Sequence, residues 1–123
     1  MMEKISTDKA PAAIGPYSQA VVYNDIIFTS GQISIDPESG SIPSGIEAQT
    51  EQVMKNIGAI LSSSSSSYEK AIKTTCFLAD ISDFAKFNEI YAKYFTGKPA
   101  RSCVAVKDLP KGVLVEVEVI AYI

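Results

Sequence analysis

Residues 114–123 read LVEVEVIAYI, and the strict alternation of this stretch decides how the rest of the chain is organised. Successive side chains of a β-strand point to opposite faces. Val115, Val117, Val119, Ala121 and Ile123 therefore share one face, and Leu114, Glu116, Glu118, Ile120 and Tyr122 share the other. The first is a core face that calls for helices packed over it. The second places two carboxylates beside Ile120 and Tyr122, and an apolar surface left open in this way often marks an interface. A second copy packed sheet to sheet would bury it, and pockets commonly form where subunits meet.

The segments before this strand supply the helices. Phe84, Phe87, Tyr91, Tyr94 and Phe95 mark one face of a helix that Gly97 and Pro99 terminate, and Ala71–Leu78 reads as a strand. Ile46, Val53, Ile57, Ile60 and Leu61 recur at helical spacing and predict a helix of about five turns, with Ser44 and Glu47 fitting a capping box. The serine run Ser62–Ser67 breaks that pattern, because its hydroxyls compete for backbone hydrogen bonds and bury little. Nearer the start, Asn24-Asp25 joins the β-rich segments Tyr17–Tyr23 and Ile26–Thr29 as a hairpin turn. DPESG (36–40) predicts a reversal between short β runs at Ile33–Ile35 and Ser41–Ile42. The order β, α, β, α, β is that of an α+β domain occupying residues 1–123, with both helices on the valine face of the sheet.

Composition narrows the function. The chain of 123 residues is 46% hydrophobic and 20% charged, as a globular protein is. Its formal charge of −3 and lack of any Lys/Arg run argue against a nucleic-acid surface. No apolar stretch reaches the ~20 residues of a membrane span and the start lacks a signal peptide's apolar block, so the expected location is cytoplasmic. Cys76 and Cys103 are far apart without a CxxC pattern and read as free thiols. There is no histidine, which removes the commonest metal ligand and the commonest general base together; metal-free chemistry, or none, is expected.

Several residues stand out against this background. Ten lysines accompany a single arginine, Arg101. Lysine cannot reproduce the two-point grip of a guanidinium on a carboxylate, so Arg101 is either an anion anchor or half of a salt bridge. Glu116 and Glu118 are either acid/base groups desolvated at an interface or charges on a solvated face. Asn88 interrupts the aromatic stripe, where its amide must tie down a neighbour or face a cavity. Tyr17 follows the rigid Gly15-Pro16, either lending its hydroxyl or ring to a pocket or lying in the core, and Ser30-Gly31 ends a strand where a ligand can approach the backbone. Ser30, Ser102 and Cys103 lack a histidine to activate them, which speaks against covalent catalysis.

The segments APAAIGPYSQA (10–20), FTSGQIS (28–34), KTTCFLADISDFAKFNEIYAKYF (73–95), PARSCVAV (99–106) and LPKGVLVEVEVIAYI (109–123) together closely resemble the RidA (YjgF-type) deaminase family. The resemblance implies a chorismate-mutase-like fold with a mixed sheet, a homotrimer with its sheets facing inward, and three clefts between subunits. It also implies hydrolysis of 2-imino and 2-enamino acids, released by pyridoxal-phosphate dehydratases, to 2-keto acids and ammonia without a cofactor. Arg101 matches the position that holds the substrate carboxylate and Glu116 the one that holds the attacking water. Tyr17, Ser30, Gly31, Asn88 and Cys103 match positions lining the cleft, Cys103 through its backbone more than its thiol. Two departures stand out: the serine run, and a short Phe95–Pro99 link that borders the cleft and bears on substrate size. Readings from other classes are a regulator that binds keto acids without turnover and a ribonuclease or translation inhibitor.

Overall fold

Six strands form one sheet in the order β1-β2-β3-β6-β4-β5, where β1 is Glu3–Ile5, β2 Ala20–Tyr23, β3 Ile26–Thr29, β4 Ala71–Leu78, β5 Ala100–Ala105 and β6 Val115–Tyr122. The computed structural model describes residues 1–123. Helix α1, Ile46–Ser62, joins β3 to β4, and α2, Phe84–Tyr94, joins β4 to β5. All pairings are antiparallel except β4 with β5, so the sheet is mixed and the fold α+β. A parallel pair needs a crossover of a dozen or more residues, which α2 and its flanks provide. No helix is long and apolar enough to cross a membrane.

Both helices lie on the valine face. Val115, Val117, Val119 and Ala121 of β6 share one buried cluster with Val53, Met54, Ile57, Ile60 and Leu61 of α1 and with Phe87, Ile90 and Tyr91 of α2. Ile123 lies beyond the strand and is exposed rather than buried. On the opposite face Tyr23, Phe28, Val104 and Tyr122 remain exposed, which is the open apolar surface expected from the alternation.

The hairpin turn forms as read: Tyr23 pairs with Ile26, and Asn24 and Asp25 both take positive φ (50° and 61°). The strand before it starts only at Ala20, because residues 6–19 form a loop pinned by the buried Gln19. Its amide nitrogen donates to the carbonyls of Thr7 (3.0 Å), Ala10 (3.3 Å) and Pro11 (2.8 Å), and its oxygen accepts from the Thr7 N–H (2.7 Å). The short strand β1 lay outside the sequence reading altogether.

Three other expectations need correction. Ile33–Ile35 and Ser41–Ile42 are not strands, although the DPESG reversal between them forms, with Gly40 at φ +74°. The carbonyls of Ile33 and Ile35 are taken by the Asn56 amide (3.0 and 2.9 Å), and the Ser34 hydroxyl by Gln49 (2.9 Å), so side chains of α1 replace the ladder. The capping box does not form either. The Gln49 N–H donates to the Gly45 carbonyl (3.0 Å), which makes Gly45, at φ +88°, the cap and leaves Ser44 one residue too early. The serine run does end α1, and the Ser63 hydroxyl donates to the Ile60 carbonyl (2.6 Å). Ser66, however, is buried and donates to the carbonyl of Tyr122 (2.7 Å), tying the loop to the end of β6.

Candidate active site

Arg101 lies on β5, an edge strand, opposite Thr74 of β4. Thr74 is fully buried beneath α2, and the same parity turns Arg101 toward that helix. There Nη1 donates to Asn88 Oδ1 at 2.6 Å, while the guanidinium carbon lies 4.8 Å from the ring centroid of Tyr91 and 5.5 Å from that of Phe84. A guanidinium over an aromatic face is attracted by the ring's quadrupole. Its hydrogen-bond partner is thus an amide rather than a carboxylate, and the salt-bridge reading of Arg101 has no carboxylate partner in this hydrogen bond. Asn88 proves to be a tie that also borders a cavity of about 390 Å³, shared with Thr96, Lys98 and Arg101.

Cys103 sits on the same face two residues on, paired with the buried Cys76. Burial pushes the Cys103 thiol up, against an opposing pull from Arg101, and burial pushes Cys76 up to about 12. Both are protonated at neutral pH and poor nucleophiles.

Glu116 belongs to the other face. Its Cα partner is Phe77, and a Cβ added at Gly31 would collide with its carboxylate and Cγ, so the absence of a side chain at Gly31 makes room for Glu116. Burial, and then the charge of Glu118, raise the Glu116 pKa above the ordinary carboxylate value. Glu118 itself is exposed. Ser30, next to Gly31, donates its hydroxyl to the Ser18 carbonyl (2.6 Å) and its N–H to the Gln19 carbonyl (2.8 Å), so it serves as a strut. Tyr17 is half-exposed and shares with Gly31 a cavity of about 300 Å³ that Ile14, Ile33 and Pro110 also line.

The residues singled out in the sequence thus form two groups. Arg101, Asn88 and Cys103 lie on the helix side of the sheet near its β5 edge; Glu116, Gly31, Ser30 and Tyr17 lie around the open face and the loops flanking β3. The largest depression, about 490 Å³, is elsewhere: Asp8, Lys9, Asp36, Glu38, Gln52 and Lys55 line it, and it contains none of these residues. No group of three or more His, Cys, Asp or Glu is placed to hold a metal ion.

Sequence reasoning missed the supports. Gln49, which also accepts from the Leu114 N–H (2.8 Å), and Asn56 shape the segment after Gly31. Both interrupt the apolar stripe of α1, the same signal that flagged Asn88 in α2. Tyr91 has the helical spacing of a core aromatic, and nothing local to it marks it as the ring beneath Arg101.

The family described as Endoribonuclease L-PSP matches residues 7–123. A Lactococcus lactis protein described as a candidate regulator, AldR, is 55% identical over 122 residues, 98% of this chain and 97% of that one. The 2-iminobutanoate/2-iminopropanoate deaminase of Rattus norvegicus is 50% identical over 119 residues, 95% of this chain and 87% of the rat protein. The crystal structure of YyfA from Yersinia pestis, a protein of unknown function of the conserved Rid family, superposes with a TM-score of 0.97 at 49% identity and covers 100% of both chains.

Proposed function

The chain belongs to the RidA (YjgF-type) family, and from that premise we propose that it hydrolyses 2-iminobutanoate and 2-iminopropanoate to the 2-keto acids and ammonia. The observation that carries this reading is the state of Arg101, a lone guanidinium held by an amide and two aromatic faces. Its remaining N–H groups are suited to a substrate carboxylate. Similarity to the rat deaminase supports the choice of substrate.

In this reading Arg101 orients the carboxylate and the enamine tautomerises to the imine. Glu116 takes a proton from water as the water oxygen bonds to C2 and returns it to the imine nitrogen, giving a carbinolamine. A second proton moves from the new hydroxyl to the nitrogen, the C–N bond breaks, ammonia leaves and the oxygen remains as the keto oxygen. General-base help of this kind is worth typically ~10²–10⁴-fold, and a raised pKa brings Glu116 closer to the neutral range where such a base is effective.

One copy of the chain does not bring these groups together. Glu116 lies two strands in from the β5 edge, roughly 10 Å at normal strand spacing, and on the opposite face. A four-carbon substrate cannot span that path. We therefore read the active form as a homotrimer of the chorismate-mutase-like kind, in which Arg101 of one copy meets Glu116 of the next, with the apolar open face covered.

The test is to generate 2-iminobutanoate in situ with a dehydratase, trap it with semicarbazide, and measure whether the protein lowers the yield of trapped imine. The similarity to AldR favours a second reading, a keto-acid-binding regulator. Saturable binding of 2-oxobutanoate with no acceleration of imine loss would establish that one instead.

A further inference from the structure

We propose that α2 is built as a cradle for the Arg101 guanidinium, with Phe84, Asn88 and Tyr91 as positioning residues that leave the Nε/Nη2 edge free for a carboxylate. The inference rests on the reading of Arg101 as the carboxylate anchor.

Phe84, Asn88 and Tyr91 are spaced i, i+4, i+7, which stacks three side chains on one helix face. All three meet one guanidinium: Asn88 Oδ1 accepts from Nη1 at 2.6 Å, and the rings of Tyr91 and Phe84 lie 4.8 and 5.5 Å from its central carbon. An arginine presents five N–H donors in a fixed planar fork. An acceptor on Nη1 and two rings against the guanidinium oppose rotation about the Nε–Cζ bond, the motion that would exchange Nη1 with Nη2, and the rings restrict the plane. The edge formed by Nε and Nη2 is then the complete two-point donor.

The Tyr91 ring is fixed in its turn. Its hydroxyl lies 2.7 Å from that of Thr74, which is fully buried and is the residue opposite Arg101 in the β4–β5 ladder. Ladder position, ring and guanidinium thus form a closed set of contacts in which the strand that carries Arg101 also sets the ring it packs on.

Because Arg101 is the only arginine in the chain, its side-chain nitrogens give isolated ¹⁵N signals, and rotation of the guanidinium can be read without assignment. The wild-type protein should show separate Nη1 and Nη2 resonances, the mark of slow rotation. Asn88→Ala, at a half-buried surface position, should merge them. Tyr91→Leu should do the same, and Tyr91→Phe, which keeps the ring, should retain the separation. In imine hydrolysis Asn88→Ala should raise KM about tenfold and change kcat less than about threefold, since the carboxylate is held alike in ground and transition states.

Merged Nη signals in the wild type, or separate ones in Asn88→Ala, would overturn the cradle even if Tyr91→Leu failed to fold. A protein with separate signals and no imine hydrolysis would refute the proposed activity and leave the cradle standing. One with imine hydrolysis and a freely turning guanidinium would refute the cradle alone.

Discussion

The helix-side group around Arg101 and the open-face group around Glu116 are set up by opposite means. Arg101 is held by added contacts, namely an amide and two rings supplied by one helix. Glu116 is shaped by withdrawal: Gly31 contributes no side chain, solvent is partly removed, and a second carboxylate lies on the same face. A guanidinium stays charged in almost any protein environment and needs only to be aimed, whereas a carboxylate becomes a base near neutrality only when its ionised form is made less comfortable. A cation can therefore be placed at a strand edge. The anion benefits from a position deeper in the sheet.

The sharpest way to break this comparison is to disable each group in a separate chain. Arg101→Ala and Glu116→Gln should each keep the wild-type assembly state by sedimentation equilibrium; Glu116→Gln should lose ~10²–10⁴-fold in imine hydrolysis, and Arg101→Ala at least about 10²-fold through lost positioning. If each site draws on two copies, refolding the two inactive variants together in equal amounts should restore up to about a quarter of wild-type activity, since that fraction of randomly assembled sites holds both intact groups. No recovery after demonstrated subunit mixing would place both groups in one copy. Glu116→Gln should also be at least as stable as wild type at neutral pH. A raised folded-state pKa favours fold stability below the unfolded pKa, and that contribution is lost as pH rises through the folded pKa.

Next in size is Arg101→Lys, which keeps the charge and loses the fork. We expect at least about tenfold lower kcat/KM, equivalent to ~1.4 kcal/mol of transition-state stabilisation, measured by steady-state kinetics on folded protein in its wild-type assembly state. Full activity would make Arg101 a point charge and the cradle irrelevant to catalysis. Gly31→Ala acts on the other group: the new methyl would displace the flexible end of Glu116 rather than backbone. The fold should survive, with activity down roughly tenfold because positioning errors of about 1 Å are costly. Wild-type kinetics with an unmoved thermal midpoint would show that Glu116 does not depend on that space.

The smallest effect expected is that of Glu118→Gln. In the proposed reaction Glu116 can act as a base only when ionised, so the wild-type rate should fall with acidification through a pKa above the ordinary carboxylate value. Removing the neighbouring charge lowers that pKa and moves the acid limb of the pH–rate profile to lower pH. The shift should be partial, since burial, the larger cause, remains. An unmoved limb would mean that Glu118 does not reach Glu116.

Much of this was legible because it depends on near neighbours in the chain. The alternation of 114–123 separated the two faces of β6, the period of α1 and α2 marked their buried sides, and Asn24-Asp25 carried its turn within two residues. At Ile33–Ile35 a distant side chain intervenes. Ile33–Ile35 has strand composition, but Asn56, 21 and 23 residues away from the carbonyls it takes, supplies the hydrogen bonds a neighbouring strand would have supplied. The Ser44 cap failed by one position, because Gly45 can adopt a positive φ that sets the helix entry.

The amino-acid sequence alone determined the α+β class and the rarity of Arg101, since each follows from residue type and local periodicity, and it offered the candidate site residues with their alternatives open. Only the tertiary structure decided that Arg101 and Glu116 face away from each other across one sheet, and that Tyr91 lies under the guanidinium. The physical reason is that side-chain parity is local to a strand, whereas the order in which strands pair is set by burial across the whole sheet.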